Sequence, residues 1–312
     1  MDTPLEGTAT GTLSSGPPDS LNVNVTLNPA PSAPPDTGGT TEDPQPQKEW
    51  KYLSVFLIAL AVFWVAFCVL FPSVPSLFTA SVQWFWVVNI ILFGAAGLSV
   101  GYCLRGRLWG IFINEQKMMS LSRLQVLLWT LLVLSALFTL IAARIQAGVA
   151  DPVNIFVDEH LWEVMGISLG SFAGRTAIMG KKSATDPGSG VQLARAVQRT
   201  ANRMGRSAGE IMASSIGVLY AHKTIDDASF TDMFQSDEIS NKSVVDIGKV
   251  QMFFFTVLTV AAYAGAIWTM LLHTDIGSIS GLPILSDGFV ALLFVSHAGL
   301  IANSATTATP VS

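Results

Sequence analysis

Four stretches of this chain run for about twenty residues without one charged side chain: Tyr52 to Phe71, Trp84 to Leu104, Leu124 to Ala143 and Val250 to Leu272. Each is long enough to cross roughly 30 Å of hydrocarbon as a helix. Two weaker runs, Leu161 to Met179 and Gly288 to Ser304, are rich in Gly, Ala and Ser and carry no ionised group in their central stretch. Composition agrees: 50% of the residues are apolar and 12% are charged, where a soluble domain has about a quarter charged. The expected fold is therefore all-α, a polytopic helical membrane protein with six transmembrane helices.

Positive charge orients it. Arg105, Arg107, Lys117 and Arg123 lie between the second and third runs. Ten more bases, from Arg175 to Lys249, lie between the Leu161 and Val250 runs, and Lys48 and Lys51 precede the first. Cytoplasmic loops collect Lys and Arg, so six spans with both termini inside put 16 of 17 bases on one side. The exception, Arg144, sits at a helix end from which it can snorkel to the interface.

Residues 1–47 hold six carboxylates, no base and much Pro, Thr, Ser and Gly. They have no periodicity and cannot bury a core, so a disordered cytoplasmic tail is expected. Without a basic stretch leading into an apolar one, this segment is not read as a signal peptide. The chain then divides into a first hairpin with a basic loop (48–119), one unit (120–180), a cytoplasmic loop (181–245) and a second unit (246–312). The two units match weakly. Arg123, Gln125 and Thr130 align with Lys249, Gln251 and Thr256, and Ser168 aligns with Ser296. This predicts a parallel two-helix repeat about a pseudo-two-fold along the membrane normal. Both glutamines should then face protein, because an amide in lipid leaves its carbonyl and N–H unsatisfied.

Two motif stretches resemble a pattern in uncharacterised bacterial integral membrane proteins. One is Phe230-Thr-Asp-Met-Phe-Gln-Ser-Asp-Glu-Ile-Ser-Asn241 with Val245-Asp-Ile-Gly-Lys-Val-Gln-Met-Phe-Phe-Phe-Thr256, and the other runs from Ser120-Leu-Ser-Arg-Leu-Gln125 to Trp129-Thr130. The resemblance covers roughly Leu104 to the C-terminus and implies a bacterial inner membrane, with no activity attached. It is broken at Gln235-Ser236, where the pattern has a basic residue and a glycine.

Motifs for chemistry are missing: no Gly-rich phosphate loop, no His-Glu-x-x-His and no Gly-x-Ser-x-Gly. Cys68 and Cys103 read as small hydrophobes, and no cofactor or metal is expected. Asp158, Glu159, His160 and Glu163 could bind a cation, but carboxylates at a helix start explain them as well. His297, beside Ser296 in the last run, is either a pore-lining or pH-sensing group or a neutral side chain bonded to a neighbouring helix. No span holds a central Asp, Glu, Lys or Arg, which argues against an ion-coupled transporter.

Gly166, Gly170 and Gly174 form a doubled small-residue strip, and Gly97 with Gly101 a single one. Such strips allow close helix approach, within one chain or between copies, so Gly170→Leu should do more damage than Gly101→Leu. In the basic loop Arg195, Arg199, Arg203 and Arg206 share one helical face, opposite Leu193, Val197, Ala201, Met204, Ala208 and Ile211. That face could meet an anionic leaflet or a phosphorylated ligand, or stay solvated while the apolar side docks on the protein. Nucleic acid is not expected, since no aromatics interleave the bases. Two functions compete. One is a non-enzymatic, oligomeric, channel-like membrane protein with Ser168, Ser296 and His297 near a polar path. The other is a membrane-anchored scaffold or signalling module recruiting a cytoplasmic protein partner.

Overall fold

The computed structural model describes residues 46–70, 82–185, 191–273 and 275–305; the acidic segment up to residue 45 lies outside them. Among the described residues eight α-helices follow in order: α1 Pro46–Leu70, α2 Val82–Arg105, α3 Leu121–Gln146, α4 Glu159–Ser183, α5 Val191–Met204, α6 Ala208–Ser214, α7 Ile247–His273 and α8 Asp287–Ala305. Only isolated bridges, and no regular strand, occur among the described residues.

Of the six long helices, four have the length and composition to cross a membrane: α2, α3, α7 and α8. The described apolar part of α1 is the shorter stretch Tyr52–Cys68. Helix α4 is as long as its neighbours, yet Glu159, Glu163, Arg175, Lys181 and Lys182, with Gly and Ser between, dilute its hydropathy. Of the six expected spans, four are thus helices with the length and composition to cross a membrane.

Helix α3 is the hub. In its apolar window 56% of residues are buried, against 17–28% in the other three, as befits a helix apolar all round. Trp129, Leu132, Val133, Ala136 and Leu140 pack against Trp86 of α2, Leu161 and Val164 of α4, and Tyr263 and Ile267 of α7. Polar groups inside this packing find one another. Trp64 Nε1 donates to Asn89 Oδ1 at 2.9 Å, Asn89 Nδ2 to Thr139 Oγ1 at 2.8 Å, and Trp86 Nε1 to Ser135 Oγ at 3.0 Å. Asn89 thereby joins α1, α2 and α3 where water is absent and an unpaired amide would be costly. Asn89→Leu should cost about 1 kcal/mol, read as a lower melting temperature in detergent.

Helix α3 packs on α4, α4 on α8, α8 on α7 and α7 on α3. Both presumed equivalent pairs, α3 with α7 and α4 with α8, are therefore in contact. These contacts do not by themselves bring out a two-fold, and the side chains at the matched positions decide the matter. Gln125 is buried and Gln251 exposed, while Thr130 is exposed and Thr256 buried. Instead of matching each other, Gln125 and Thr256 are bonded together, Nε2 to Oγ1. The expectation that both glutamines face protein is corrected for Gln251.

The glycine strips also trade places. A Cβ on Gly166 or Gly170 would meet nothing within 4 Å, and on Gly174 only Ile301 Cδ1 at 3.8 Å. On Gly97 it would touch Leu127 Cδ1 at 3.8 Å, but on Gly101 it would strike the Ile111 backbone nitrogen at 2.5 Å. The cause is the turn after α2. Gly106, at φ +70°, ends the helix, a left-handed position where glycine bears no Cβ penalty. The 3-10 turn Leu108–Phe112 then doubles back, and a Cβ on Gly110 would in turn strike the Gly101 carbonyl oxygen.

At the opposite end Arg144 does not snorkel. Its guanidinium is buried and donates to the carbonyls of Ile279 and Asp151, closing the two outer loops on each other. Phe156 N–H to Ser280 O at 2.8 Å and Leu282 N–H to Phe156 O at 3.0 Å continue that seam. The acidic cluster at the start of α4 has a related role, with His160 between Asp158 at 3.0 Å and Asp287 of α8 at 2.9 Å.

Candidate functional site

At the basic end, residues 106–120, 184–185 and 191–246 fold into a compact cap. Helix α5 docks by its apolar face: Val197 and Ala201 pack with Met118, Ile211, Tyr220 and Ile239, and Thr200 Oγ1 donates to Ile239 O at 2.8 Å. A capping box starts α6, with Ser207 Oγ and the Glu210 carboxylate each accepting a backbone N–H at 3.1 Å. Gln116 stitches the two loops together, its side-chain Nε2 donating to Tyr220 O at 2.9 Å while its backbone carbonyl accepts from His222 N–H at 3.0 Å.

Two buried aspartates organise the cap. Asp237 receives Lys249 of α7 at 3.0 Å and Arg175 of α4 at 2.5 Å, which anchors the cap to the bundle. Burial alone would raise its pKa, but Lys249 and Arg175 overcome this and hold it down to about 2. Asp232 accepts from Lys242 Nζ at 3.1 Å, His222 Nε2 at 3.0 Å and the Ser229 N–H at 2.9 Å. Its pKa is also lowered: burial pushes it up, and the His222 hydrogen bond and Lys242 outweigh that push. Lys242 is itself lowered by burial, against the pull of Asp232. Its ammonium lies 5.1 Å from the Tyr220 ring centre and 3.1 Å from Met118 Sδ. A third pair, Lys182 with Glu238, lies alongside.

The four arginines placed on one face divide. Arg195, Arg199 and Arg203 are exposed, while Arg206 is half-buried and donates to Tyr220 OH at 3.2 Å. Arg203 reaches Ser243 Oγ at 3.3 Å. With the apolar side taken up by the cap, insertion of α5 into lipid is closed off, and its outer stripe offers charge only.

The residues expected along a polar path are elsewhere. Ser168 of α4 and Ser296 and His297 of α8 are buried on helices that pack together; the Ser168 and Ser296 hydroxyls and His297 Nδ1 have no partner, nor does the hydroxyl of nearby Ser171. They do not line the cavities of the cap. One of these, of about 140 Å³, lies between Arg123, Arg175 and Ser183; a second, of about 650 Å³, opens beside His222. No group of three metal-ligating side chains is found among the described residues.

Asp232, Asp237, Lys242, His222 and Arg175 were not singled out by sequence reasoning, and Lys249 only as the counterpart of Arg123 in the expected repeat. Asp232 and Asp237 stood inside a quoted motif, but their partners lie 10 to 62 positions away, beyond any helical or strand spacing. No protein-family model, curated protein or solved structure matches this chain.

Proposed function

We propose that this chain is a bacterial inner-membrane protein with six spans and both termini on the cytoplasmic, basic side. We further propose that it works as a non-enzymatic, membrane-anchored recognition module whose acting surface is the cap. The observation that carries this reading is the buried pairing of Asp237 with Lys249 and Arg175. Burying charges is costly, and such pairs contribute more to a defined geometry than to stability. A loop that merely connected spans would have no need of one. Held on that rigid base, the Arg195, Arg199 and Arg203 stripe is suited to an acidic segment of a cytoplasmic partner. Charge reversal of all three should leave the melting temperature within a degree or two, since exposed charges contribute little to folding. It should also abolish cross-linked adducts formed by the wild-type protein in native membranes. Adducts that survive the reversal would remove the recognition reading.

Self-association into a channel-like oligomer is the second reading. It is favoured by the open space over Gly166 and Gly170, where another copy's helix could approach closely. Solute or ion flux in liposomes containing the purified protein would put this reading first.

A further inference from the structure

We infer that the cleft of about 650 Å³ in the cap, between Lys117, Arg206, His222 and Lys223, binds a phosphate-bearing anion. The inference does not depend on which partner the α5 arginines take. It begins with Lys117, which at φ 57° is the one non-glycine residue in the left-handed region among the described residues. Asn114 to Lys117 form a tight turn, with Lys117 N–H donating to Asn114 O at 3.2 Å and Asn114 N–H to Met118 O at 2.8 Å. The residue closing such a turn is ordinarily glycine, because a side chain there is strained. Lys117 occupies that strained position with its ammonium donating to the Lys223 carbonyl at 2.7 Å, which holds it among the cleft's residues, and strain of this kind concentrates at functional sites.

The cleft's other groups point to the same ligand class. Arg206 and Lys223 join Lys117, giving three cations against two carboxylates, Glu210 and Asp227. Both carboxylates are turned onto backbone within the cap. Glu210 accepts from Ser207 N–H at 3.1 Å, and Asp227 accepts from Thr224 N–H at 3.1 Å and Oγ1 at 3.0 Å. His222 is buried, and its Nε2 is committed to Asp232 at 3.0 Å. Its Nδ1 has no hydrogen-bond partner in the protein but is enclosed, so the imidazole serves to fix Asp232 and the cleft wall while the cations supply the donors. A phosphate monoester offers several acceptor oxygens to ammonium and guanidinium groups at once. The volume falls within the roughly 300–1,000 Å³ of small-ligand sites.

Two sources share this chemistry, a soluble phosphate compound and a lipid with a terminal phosphate. Calorimetric titration of the full-length protein in detergent with inorganic pyrophosphate probes the first. Retention of phosphatidic acid over phosphatidylcholine, by native mass spectrometry from mixed nanodiscs, probes the second. Lys117→Gly removes the charge and relieves the backbone, so its melting temperature should hold or rise while binding falls at least about tenfold. Arg206→Gln should weaken binding similarly and carries the test if Lys117→Gly fails to fold. Variant-sensitive pyrophosphate binding assigns a soluble ligand, and variant-sensitive phosphatidic acid retention alone assigns a lipid. If neither probe binds, or if binding is undiminished in both variants, the inference is overturned.

Discussion

Gly101→Leu is expected to be among the most damaging single changes in the bundle, whereas Gly170→Leu should be close to neutral in the isolated protein. The difference lies in what each added side chain meets. At Gly101 even the first carbon would sit 2.5 Å from the Ile111 nitrogen and 3.0 Å from Ile111 Cβ. The obstacle is backbone, which cannot rotate aside. Either α2 moves, or the turn from Leu108 to Phe112 is expelled, taking buried Phe112 out of its packing with Leu121, Met252 and Leu300. Overpacking costs about 1–3 kcal/mol where side chains can adjust, so a clash with backbone should exceed about 3 kcal/mol. Gly170 has open space, and a leucine there extends into the surroundings. Melting of detergent-solubilised protein measures the contrast. Equal losses at both positions would mean that α4 is covered by another copy even in detergent, in favour of the oligomeric reading.

Asp237→Asn should release the cap from the bundle. The amide has nearly the shape of the carboxylate, so packing survives, but the buried Lys249 and the partly buried Arg175 lose the carboxylate they share. Removing one partner of a buried pair costs about 3–5 kcal/mol. The loss should appear as faster amide hydrogen exchange across residues 216–246, with the membrane helices still protected. The same pair imposes a pH dependence. The folded pKa of Asp237, about 2, lies below the roughly 3.9 of an unfolded aspartate. Its stabilising contribution is therefore complete above about pH 4 and is lost as the pH falls through 2. In the Asn variant this acid-induced increase in cap exchange should be smaller, with Asp232, whose pKa is also lowered, supplying what remains.

Much of the scaffold is legible in the sequence because lipid imposes a rule that acts residue by residue. Every backbone polar group must be satisfied within its own segment, so a twenty-residue uncharged run reports a helix without reference to its neighbours. The runs at Trp84, Leu124, Val250 and Gly288 became α2, α3, α7 and α8 with small shifts at their ends. The Leu161 run became α4, a helix whose composition is less apolar than its length. The arginine stripe of α5 was legible for a similar reason, since a period of 3.6 is a local property.

Everything that depended on which face meets what was left to tertiary structure. Gln125 and Gln251 look alike in sequence, yet one bonds Thr256 and the other is exposed. Similar spacing carries no information about a helix's rotation around its own axis, which neighbouring helices set. Three glycines in series looked like the tighter strip, but close approach belongs to Gly101, because a turn folds back on that helix and none folds onto α4. The cap was the least visible part. Asp237 meets Lys249 and Arg175 only once two helices and a long loop converge, and no periodicity links positions so far apart. The sequence by itself determined that the chain would form long apolar helices with its bases gathered at one end. Only the tertiary structure decided which of those bases, Lys182, Lys242 and Lys249 among them, would be paired and buried and which would stay exposed, because burial and pairing are relations between segments and are carried by no segment alone.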